Sequence, residues 1–134
     1  MAAVLDEWWG GRRMVDMLPR LFFTHFRETS FVAERDGKLA GFLVGFLSQS
    51  DLEAAYVHFV GVSPEERGSG LGRELYEHFF EAARSHGRHT VSCVTSPANA
   101  GSLAFHQAIG FEASEPKAGY DGPGEDRVVL TRSL

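Results

Sequence analysis

The stretch that most constrains the fold of this 134-residue chain is a strand-like run followed at once by a glycine-rich segment. Val60–Pro64 predicts a β-strand that ends before the proline. Gly68, Gly70 and Gly72 then lead directly into an amphipathic helix. The first N–H groups of a helix lack intrahelical partners, and the helix dipole adds positive potential. This helix start therefore predicts an anion pocket, in which glycines let a phosphate approach the backbone.

Two common phosphate-binding motifs do not fit these glycines. The dinucleotide motif G-x-G-x-x-G would need a glycine at position 73 or 75, and those positions hold Arg73 and Leu75. The P-loop motif G-x-x-x-x-G-K-[ST] is matched nowhere in the chain. Arg67 and Arg73 bracket the loop with positive charge, and the pattern that remains is Arg67-x-x-Gly70-x-Gly72.

Composition narrows the class of protein. The formal net charge is −5, from 13 basic and 18 acidic residues, and no block of five like charges occurs, which disfavours a nucleic-acid partner. The lone Cys93 excludes an internal disulfide and fits a reducing compartment. No run approaches 18 apolar residues and no secretory leader pattern is present, so we expect a cytoplasmic protein without a membrane partner. The length predicts one domain over residues 1–134.

Hydrophobic periodicity and turn residues predict alternating helices and strands, as expected for a mixed α/β domain. The predicted elements are a short helix at 3–10, a helical stripe from Met14 to Phe26 interrupted by Pro19, strands Phe31–Glu34 and Leu39–Leu47 around an Asp36-Gly37 turn, strand Ala54–Val62, helix Gly70–His86 closed by Gly87, strand Thr90–Thr95, helix Asn99–Ala108 capped by Asn99, a strand after Gly110-Phe111, a loop at Gly119–Glu125 and a last strand Arg127–Thr131. Simple alternation places Tyr56, His58, Val60 and Val62 on one face of their strand.

Three motifs in this order resemble those of the GNAT superfamily of N-acetyltransferases. Arg67-x-x-Gly70-x-Gly72 is similar to the family's R/Q-x-x-G-x-G/A signature. Asn99–Phe111 resembles its second signature, an asparagine that starts a helix ending in a Leu/Ile-Gly-Phe turn, and Phe31–Phe46 resembles its central hairpin. Together they cover roughly residues 30–111. The resemblance implies a central mixed, mostly antiparallel sheet flanked by helices.

The resemblance also implies a cofactor and the residues that hold it. Acetyl-CoA would be the co-substrate, with its pyrophosphate on the amides of Arg67, Gly68, Ser69, Gly70, Leu71, Gly72 and Arg73. Backbone N–H groups of Val60, Gly61 and Val62 would polarise the thioester carbonyl, where the family splays two parallel strands apart. Asn99 would contact the pantetheine arm, with Phe105 beside it. No metal is implied; His86-x-x-His89 is the only close pair of histidines.

Acetyl transfer to an amine also needs a base and an acid. His58 is the first candidate for the base, because the usual imidazole pKa of about 6.5 suits proton acceptance near neutral pH. Tyr56 and Glu53 are the alternatives. The family places a tyrosine seven residues after the asparagine, near the cofactor sulfur, and this chain has His106 there. A histidine could supply the proton to the leaving thiolate, so His106 is the candidate acid.

The acceptor is the part that sequence constrains least. Trp8-Trp9 and the Tyr120-Asp121 loop lie where the family frames its acceptor, a primary amine of a small molecule or a peptide. The alternative functions are a non-catalytic acyl-CoA sensor and a purely structural or interaction domain. The family also opens with a short strand before its first helix; either this form lacks that strand or the sequence starts after it. An uncovered sheet edge invites pairing with a second copy. We therefore expect a homodimer or a short tolerated edge.

Overall fold

The computed structural model describes residues 20–134. Its elements are helix α1 (Leu21–His25), a 3₁₀ turn (Arg27–Thr29), strands β1 (Phe31–Arg35), β2 (Lys38–Leu47) and β3 (Ala54–Val62), a second 3₁₀ turn (Pro64–Glu66), helix α2 (Leu71–Ser85), strand β4 (Thr90–Thr95), helix α3 (Ala100–Ala108) and strands β5 (Glu112–Ala113) and β6 (Val128–Ser133). The helix predicted at 3–10, Trp8-Trp9 and the segment from Met14 to Pro19 lie outside the described residues.

The six strands form one sheet in the order β1-β2-β3-β4-β6-β5. Only β3 and β4 run parallel, and every other neighbouring pair is antiparallel. Helices α2 and α3 cover one face, where the larger apolar cluster lies. Helix α1 covers the other face, where Phe22 packs with Phe42 and Val44. The predicted mixed α/β class is confirmed, and within the described residues β1 forms one edge of the sheet.

The predicted hairpin is confirmed in position and in turn chemistry. Asp36 and Gly37 both have positive φ angles, 51° and 76°. Two consecutive residues in this region form the tight turn whose twist matches that of paired strands. On β2, Gly41 and Gly45 face α2: an added Cβ at Gly45 would lie 2.6 Å from Phe79. Small residues on this strand therefore let the helix pack closely against the sheet.

Strands β3 and β4 are paired over only three residues. The parallel ladder joins Ala54 to Thr90, Ala55 to Val91 and Tyr56 to Ser92, and then ends. Beyond Tyr56, β3 continues to Val62 beside β2, while β4 continues to Thr95 beside β6. The two strands therefore diverge from a vertex at Tyr56 and Ser92, which opens a gap in the middle of the sheet.

A bulge at His58 changes which side chains share a face. In the β2–β3 register Val44 pairs with Phe59 and the next residue, Gly45, pairs with Val57, so His58 is the extra residue. Before the bulge Tyr56 stacks on Phe46, and His58 stacks on Phe22, both on the α1 face. After it, Val60 and Val62 pack into the α2-side cluster. The prediction of one shared face for Tyr56, His58, Val60 and Val62 is wrong, because alternation assumed an unbroken strand.

Helices α2 and α3 have the capping residues that their sequences predict. Gly87, with φ 75°, follows α2, and the Arg88 amide donates to the Ala83 carbonyl at 2.9 Å. These are the features of a glycine C-cap. The Asn99 side chain caps α3 by accepting a hydrogen bond from the Ser102 amide at 3.0 Å. The last strand, β6, begins one residue later and ends two residues later than predicted, at Val128–Ser133.

Candidate active site

The segment before α2 folds into a compact loop held by its own backbone. The Glu66 carbonyl accepts two hydrogen bonds from Ser69, one from its amide at 3.1 Å and one from its hydroxyl at 2.5 Å. Gly68 and Gly70 follow the left-handed conformation, with φ angles of 84° and 90°. Residues with a Cβ rarely adopt these angles, so the glycines are required to turn the chain into the helix.

The start of α2 has backbone N–H groups that no side chain caps. Gly70 is the N-cap and supplies no side-chain cap. The following amides, at Leu71, Gly72 and Arg73, belong to the first turn, where N–H groups have no intrahelical acceptor. A Cβ added at Gly68 or Gly70 would meet nothing within 4 Å. The loop therefore places first-turn N–H groups of α2 beside open space, an arrangement that suits the pyrophosphate of a nucleotide cofactor.

Gly72 has a different reason to be glycine. Its added Cβ would lie 3.0 Å from the Phe105 ring of α3. The sequence alone suggests that all three glycines serve the approach of a phosphate, and the structure gives Gly72 a packing role between two helices. Phe105 itself is half-buried against the α2-side cluster. The prediction that it also contacts a cofactor stays a prediction.

The basic side chains around the loop are exposed, whereas the acidic side chain that precedes it is ion-paired. Arg67 and Arg73 are exposed. Glu66 and Glu74 each lie two residues from a glycine of the loop; Glu74 is exposed in the first turn of α2, whereas the Glu66 carboxylate lies 2.9 Å from Arg35 Nε. The Glu66 side chain is only 17% exposed. Its negative charge is thus paired with the hairpin, which weakens its repulsion of an anion at the loop.

The gap between β3 and β4 is lined by backbone on the β3 side. Val60, Gly61 and Val62 lie beyond the last β3–β4 pair, and the side chains of Val60 and Val62 pack into the core. What this segment can present to the gap is its main chain. The geometry places these predicted carbonyl-polarising groups at the divergent part of the strands, within the same chain segment that leads into the loop.

One predicted catalytic side chain lies at the vertex and a second lies just beyond it. Tyr56 is the last paired residue of β3, and burial, followed by Cys93, Tyr120 and Asp121, raises its pKa to about 12. Its phenol is therefore protonated at neutral pH and can donate but not accept a proton. His58 lies two residues further along and is exposed. Its ring stacks on Phe22, with centroids 4.9 Å apart.

Glu53 lies at the closed end of the ladder. Its carbonyl accepts hydrogen bonds from the amides of His89 and Thr90, at 2.7 and 3.1 Å, and its side chain is exposed. It precedes the first paired residue, Ala54. The strands diverge beyond Tyr56, at the other end of the ladder from Glu53. The structure therefore does not place the Glu53 side chain beside Tyr56 and His58.

His106 is buried within the α2–α3 packing. It is 5% exposed, and both ring nitrogens have partners: Nδ1 lies 2.8 Å from the Ser102 carbonyl, and Nε2 lies 2.6 Å from the Tyr76 hydroxyl. Burial lowers the pKa of His106, with the Ser102 hydrogen bond opposing that shift. The sequence analysis gave Tyr76 no role. The signal available was a hydroxyl-bearing residue on the apolar face of the amphipathic helix.

The loop between β5 and β6 is folded by its own charges. Arg127 Nε lies 2.9 Å from Asp121, and Arg127 Nη2 lies 2.8 Å from Glu125. Tyr120 is 49% exposed. Asp121 and Tyr120 both raise the pKa of Tyr56, so this loop lies within electrostatic reach of the vertex. The loop predicted to frame the acceptor is therefore near Tyr56, with its first acid already ion-paired.

Across residues 20–134, no group of three or more His, Cys, Asp or Glu side chains is arranged to hold a metal ion. In the same part of the chain, no helix has the length and apolar character needed to cross a bilayer.

The sequence matches a family of known proteins. A family model described as the acetyltransferase (GNAT) family matches residues 2–111, most of the chain. This chain belongs to that family. One GNAT relative is an L-2,4-diaminobutyric acid acetyltransferase of Nocardia farcinica, 35% identical over 89 residues, which are 66% of this chain and 46% of the relative. Another is a ribosomal protein bS18-alanine N-acetyltransferase of Escherichia coli, 28% identical over 108 residues, which are 78% of this chain and 70% of the relative.

Solved structures share the fold of this GNAT protein. A GNAT-family protein of Desulfovibrio desulfuricans superposes with a TM-score of 0.83 at 19% identity, covering 98% of this chain and 89% of that one. A Salmonella typhimurium protein, solved with its cofactor acetyl-CoA, gives 0.72 at 22% identity, covering 99% and 88%. The chain spans less than half the length of the diaminobutyric acid enzyme. These structural likenesses establish the fold, the family model establishes the family, and the acceptors named for the relatives differ.

Proposed function

We propose that this chain is an acetyl-CoA-dependent N-acetyltransferase that transfers an acetyl group to a primary amine in a ternary complex. The observation that carries the proposal is the open, glycine-turned start of α2, directly after the β3 segment that diverges from β4. An anion site and a gap between parallel strands thus follow each other along fewer than twenty residues. Membership of the acetyltransferase (GNAT) family supports the same activity.

The residues present fit an acyl-CoA. The amides from Arg67 to Arg73 would hold the pyrophosphate, with both arginines adding positive charge. Main-chain N–H groups of Val60–Val62 would bind the thioester oxygen as negative charge develops on it; removing one such donor commonly lowers a rate by about 10²–10³. The Asn99 and Phe105 contacts with the cofactor are part of this proposal. Acetyl-CoA supplies the activated acetyl group.

The protein's own groups would then move two protons. His58, exposed at the bulge, takes a proton from the acceptor amine as the nitrogen attacks the carbonyl carbon. As the carbon–sulfur bond breaks, the leaving thiolate receives a proton from a nearby acid. The Tyr56 phenol at the vertex, which carries a proton at neutral pH, is the candidate for this acid, and its raised pKa of about 12 makes it a weaker acid than a free tyrosine. The sequence-based role of His106 as the acid stays a prediction.

The acceptor belongs to the class of small or peptide primary amines. Two relatives are named for acceptors that are amino acids, one for L-2,4-diaminobutyric acid and one for an alanine of ribosomal protein bS18. The aromatic surface around Tyr56 and the neighbouring Tyr120-Asp121 loop would receive it. A homodimer formed at the β1 edge and a cytoplasmic location stay predictions, as does the organisation of residues 1–134 as one domain. The absence of nucleic-acid, membrane and metal partners likewise stays a prediction.

Two measurements test this function against its alternatives. A thermal shift with acetyl-CoA is expected for both an enzyme and a non-catalytic sensor, and its absence would favour a purely structural domain. Thiol release from acetyl-CoA in the presence of polyamines, arylalkylamines, amino acids or aminoglycosides is expected only for the enzyme. No relative described above favours the sensor. A cofactor shift without thiol release from any amine class would overturn the catalytic proposal.

A further inference from the structure

We propose that His106 and Tyr76 form a buried positioning pair, in which His106 acts by accepting a hydrogen bond and thereby holds α3 against the phosphate loop at the start of α2. The inference rests on the proposed function, because the loop it positions is the proposed cofactor site. It assigns a role to Tyr76 and gives His106 a role different from that of a proton donor.

The hydrogen bonds fix which nitrogen carries the proton. A backbone carbonyl can only accept, so the 2.8 Å contact between His106 Nδ1 and the Ser102 carbonyl requires the hydrogen to be on Nδ1. Neutral imidazole then has a bare Nε2. The Tyr76 hydroxyl, 2.6 Å away, must donate to it. In this tautomer His106 has no proton on the nitrogen that faces another element, and its one N–H is held by its own helix.

The surroundings keep the imidazole neutral. His106 and Tyr76 are 5% and 1% exposed. The rings of Phe105 and Phe111 pack against the imidazole edge-on, with centroids 5.2 Å away in both cases. Within residues 20–134 the Tyr76 hydroxyl also points to Cys93 Sγ, at 3.9 Å, but His106 Nε2 at 2.6 Å is the closer acceptor for its single proton. None of these groups offers a negative charge that would stabilise an imidazolium.

The pair lies next to the contact that shapes the loop. Phe105 precedes His106 on α3, and its ring rests on Gly72, where an added Cβ would lie 3.0 Å away. Tyr76 follows Gly72 by four residues, one helical turn. Two neighbouring contacts, Phe105 on Gly72 and His106 on Tyr76, therefore join α3 to the first two turns of α2. Loss of the hydrogen bond would let α3 tilt and would move both Phe105 and the first turn that presents the amides.

The experiment compares four variants by acetyl-CoA binding and by steady-state kinetics. H106F and Y76F each remove the hydrogen bond, and each is expected to weaken acetyl-CoA binding about three- to tenfold, with kcat changed less than the dissociation constant. H106Q keeps an amide oxygen near the position of Nε2 and is expected to restore the affinity that H106F loses. The matched control is S102A, which removes the hydroxyl 3.2 Å from Nδ1 but keeps the carbonyl bond; it should leave the affinity unchanged.

The opposite pattern would identify an acid. If His106 donates a proton to the thiolate, H106Q and H106F lose kcat equally by about 10²–10⁴-fold, with acetyl-CoA affinity kept, and Y76F remains active. That result overturns the positioning role while leaving the proposed function intact. If wild-type protein binds no acetyl-CoA, the proposed function itself fails.

A measurement on the wild-type protein tests the pair even if a variant fails to fold. In wild-type protein, ¹⁵N resonances of His106 should report hydrogen on Nδ1 and an unprotonated Nε2. A proton found on Nε2 would contradict the pair.

Discussion

The two sides of the gap between β3 and β4 are built in different ways. On the cofactor side, the turn into α2 uses positive φ angles at Gly68 and Gly70 and exposes main-chain N–H groups. On the proposed acceptor side, the features are side chains: Tyr56, His58 at the bulge, and the ion-paired loop that contains Asp121. A site made of backbone tolerates many side chains, whereas a site made of side chains changes with each substitution.

This difference explains why the cofactor is easier to infer than the acceptor. Positions that need glycine are visible in a sequence, because they follow from backbone conformation. The acceptor surface depends on which way a bulge turns His58 and on how Arg127 folds its loop, and neither has a local sequence signal. Variants on the proposed acceptor side should therefore change turnover with the amine, whereas variants of the loop should change acetyl-CoA affinity.

The largest expected effect is on the acceptor side, in H58Q. Loss of the proposed base should lower turnover with a saturating amine by about 10²–10⁴-fold, with the acetyl-CoA dissociation constant unchanged. Thiol release and calorimetric titration measure the two quantities. The matched control is H89Q, at an exposed histidine before β4, which should behave as wild type. Equal turnover of H58Q and wild type would remove His58 from the mechanism.

The next effect is on the cofactor side, in G70A. Alanine at φ 90° is strained by about 1–2 kcal/mol, so a loop that relaxes its shape should bind acetyl-CoA about 5- to 30-fold more weakly. G101A is the control, since that glycine is helical and an added Cβ meets only Asn99 Oδ1 at 3.9 Å; it should be neutral or stabilising by about 0.5–1 kcal/mol. Equal acetyl-CoA affinity for G70A and wild type would show that the loop shape is not needed.

A smaller effect separates packing from binding at Gly72. G72A places a methyl group 3.0 Å from the Phe105 ring, and such overpacking should lower the free energy of unfolding by about 1–2 kcal/mol. In the F105L background, the G72A substitution should lower the free energy of unfolding by less than it does in wild type. Thermal or denaturant unfolding measures both differences. Additive losses in the double variant would mean that the two residues are not in contact.

The smallest effect is on stability against pH. The pKa of His106 is lowered on folding, so below about pH 6.5 the unfolded chain binds a proton that the folded chain does not. Stability from this group is complete above that pH and falls as the pH drops. Between pH 7.5 and 6, wild type should lose about 1 kcal/mol or less beyond what H106Q loses. Parallel unfolding curves for the two proteins across this range would contradict a buried neutral histidine.

Local sequence determined the elements well and the contacts between them poorly. The Asp36-Gly37 turn, the Asn99 cap and the Gly87 C-cap are set by residues adjacent in the chain, and all three are confirmed. The bulge at His58 depends on how β2 and β3 align, and the Tyr76–His106 bond joins residues 30 apart. Pattern reasoning carries no information on such register and packing choices.

The most direct test of the backbone-held cofactor site is an amide NMR titration of the wild-type protein with coenzyme A. The largest shifts are predicted for the amides of Gly68, Gly70, Leu71, Gly72 and Arg73, at the glycine-turned start of α2. Shifts concentrated instead in the groove between β1 and α2, around Phe31, Leu75 and His78, or the absence of shifts at saturating coenzyme A, would contradict this location.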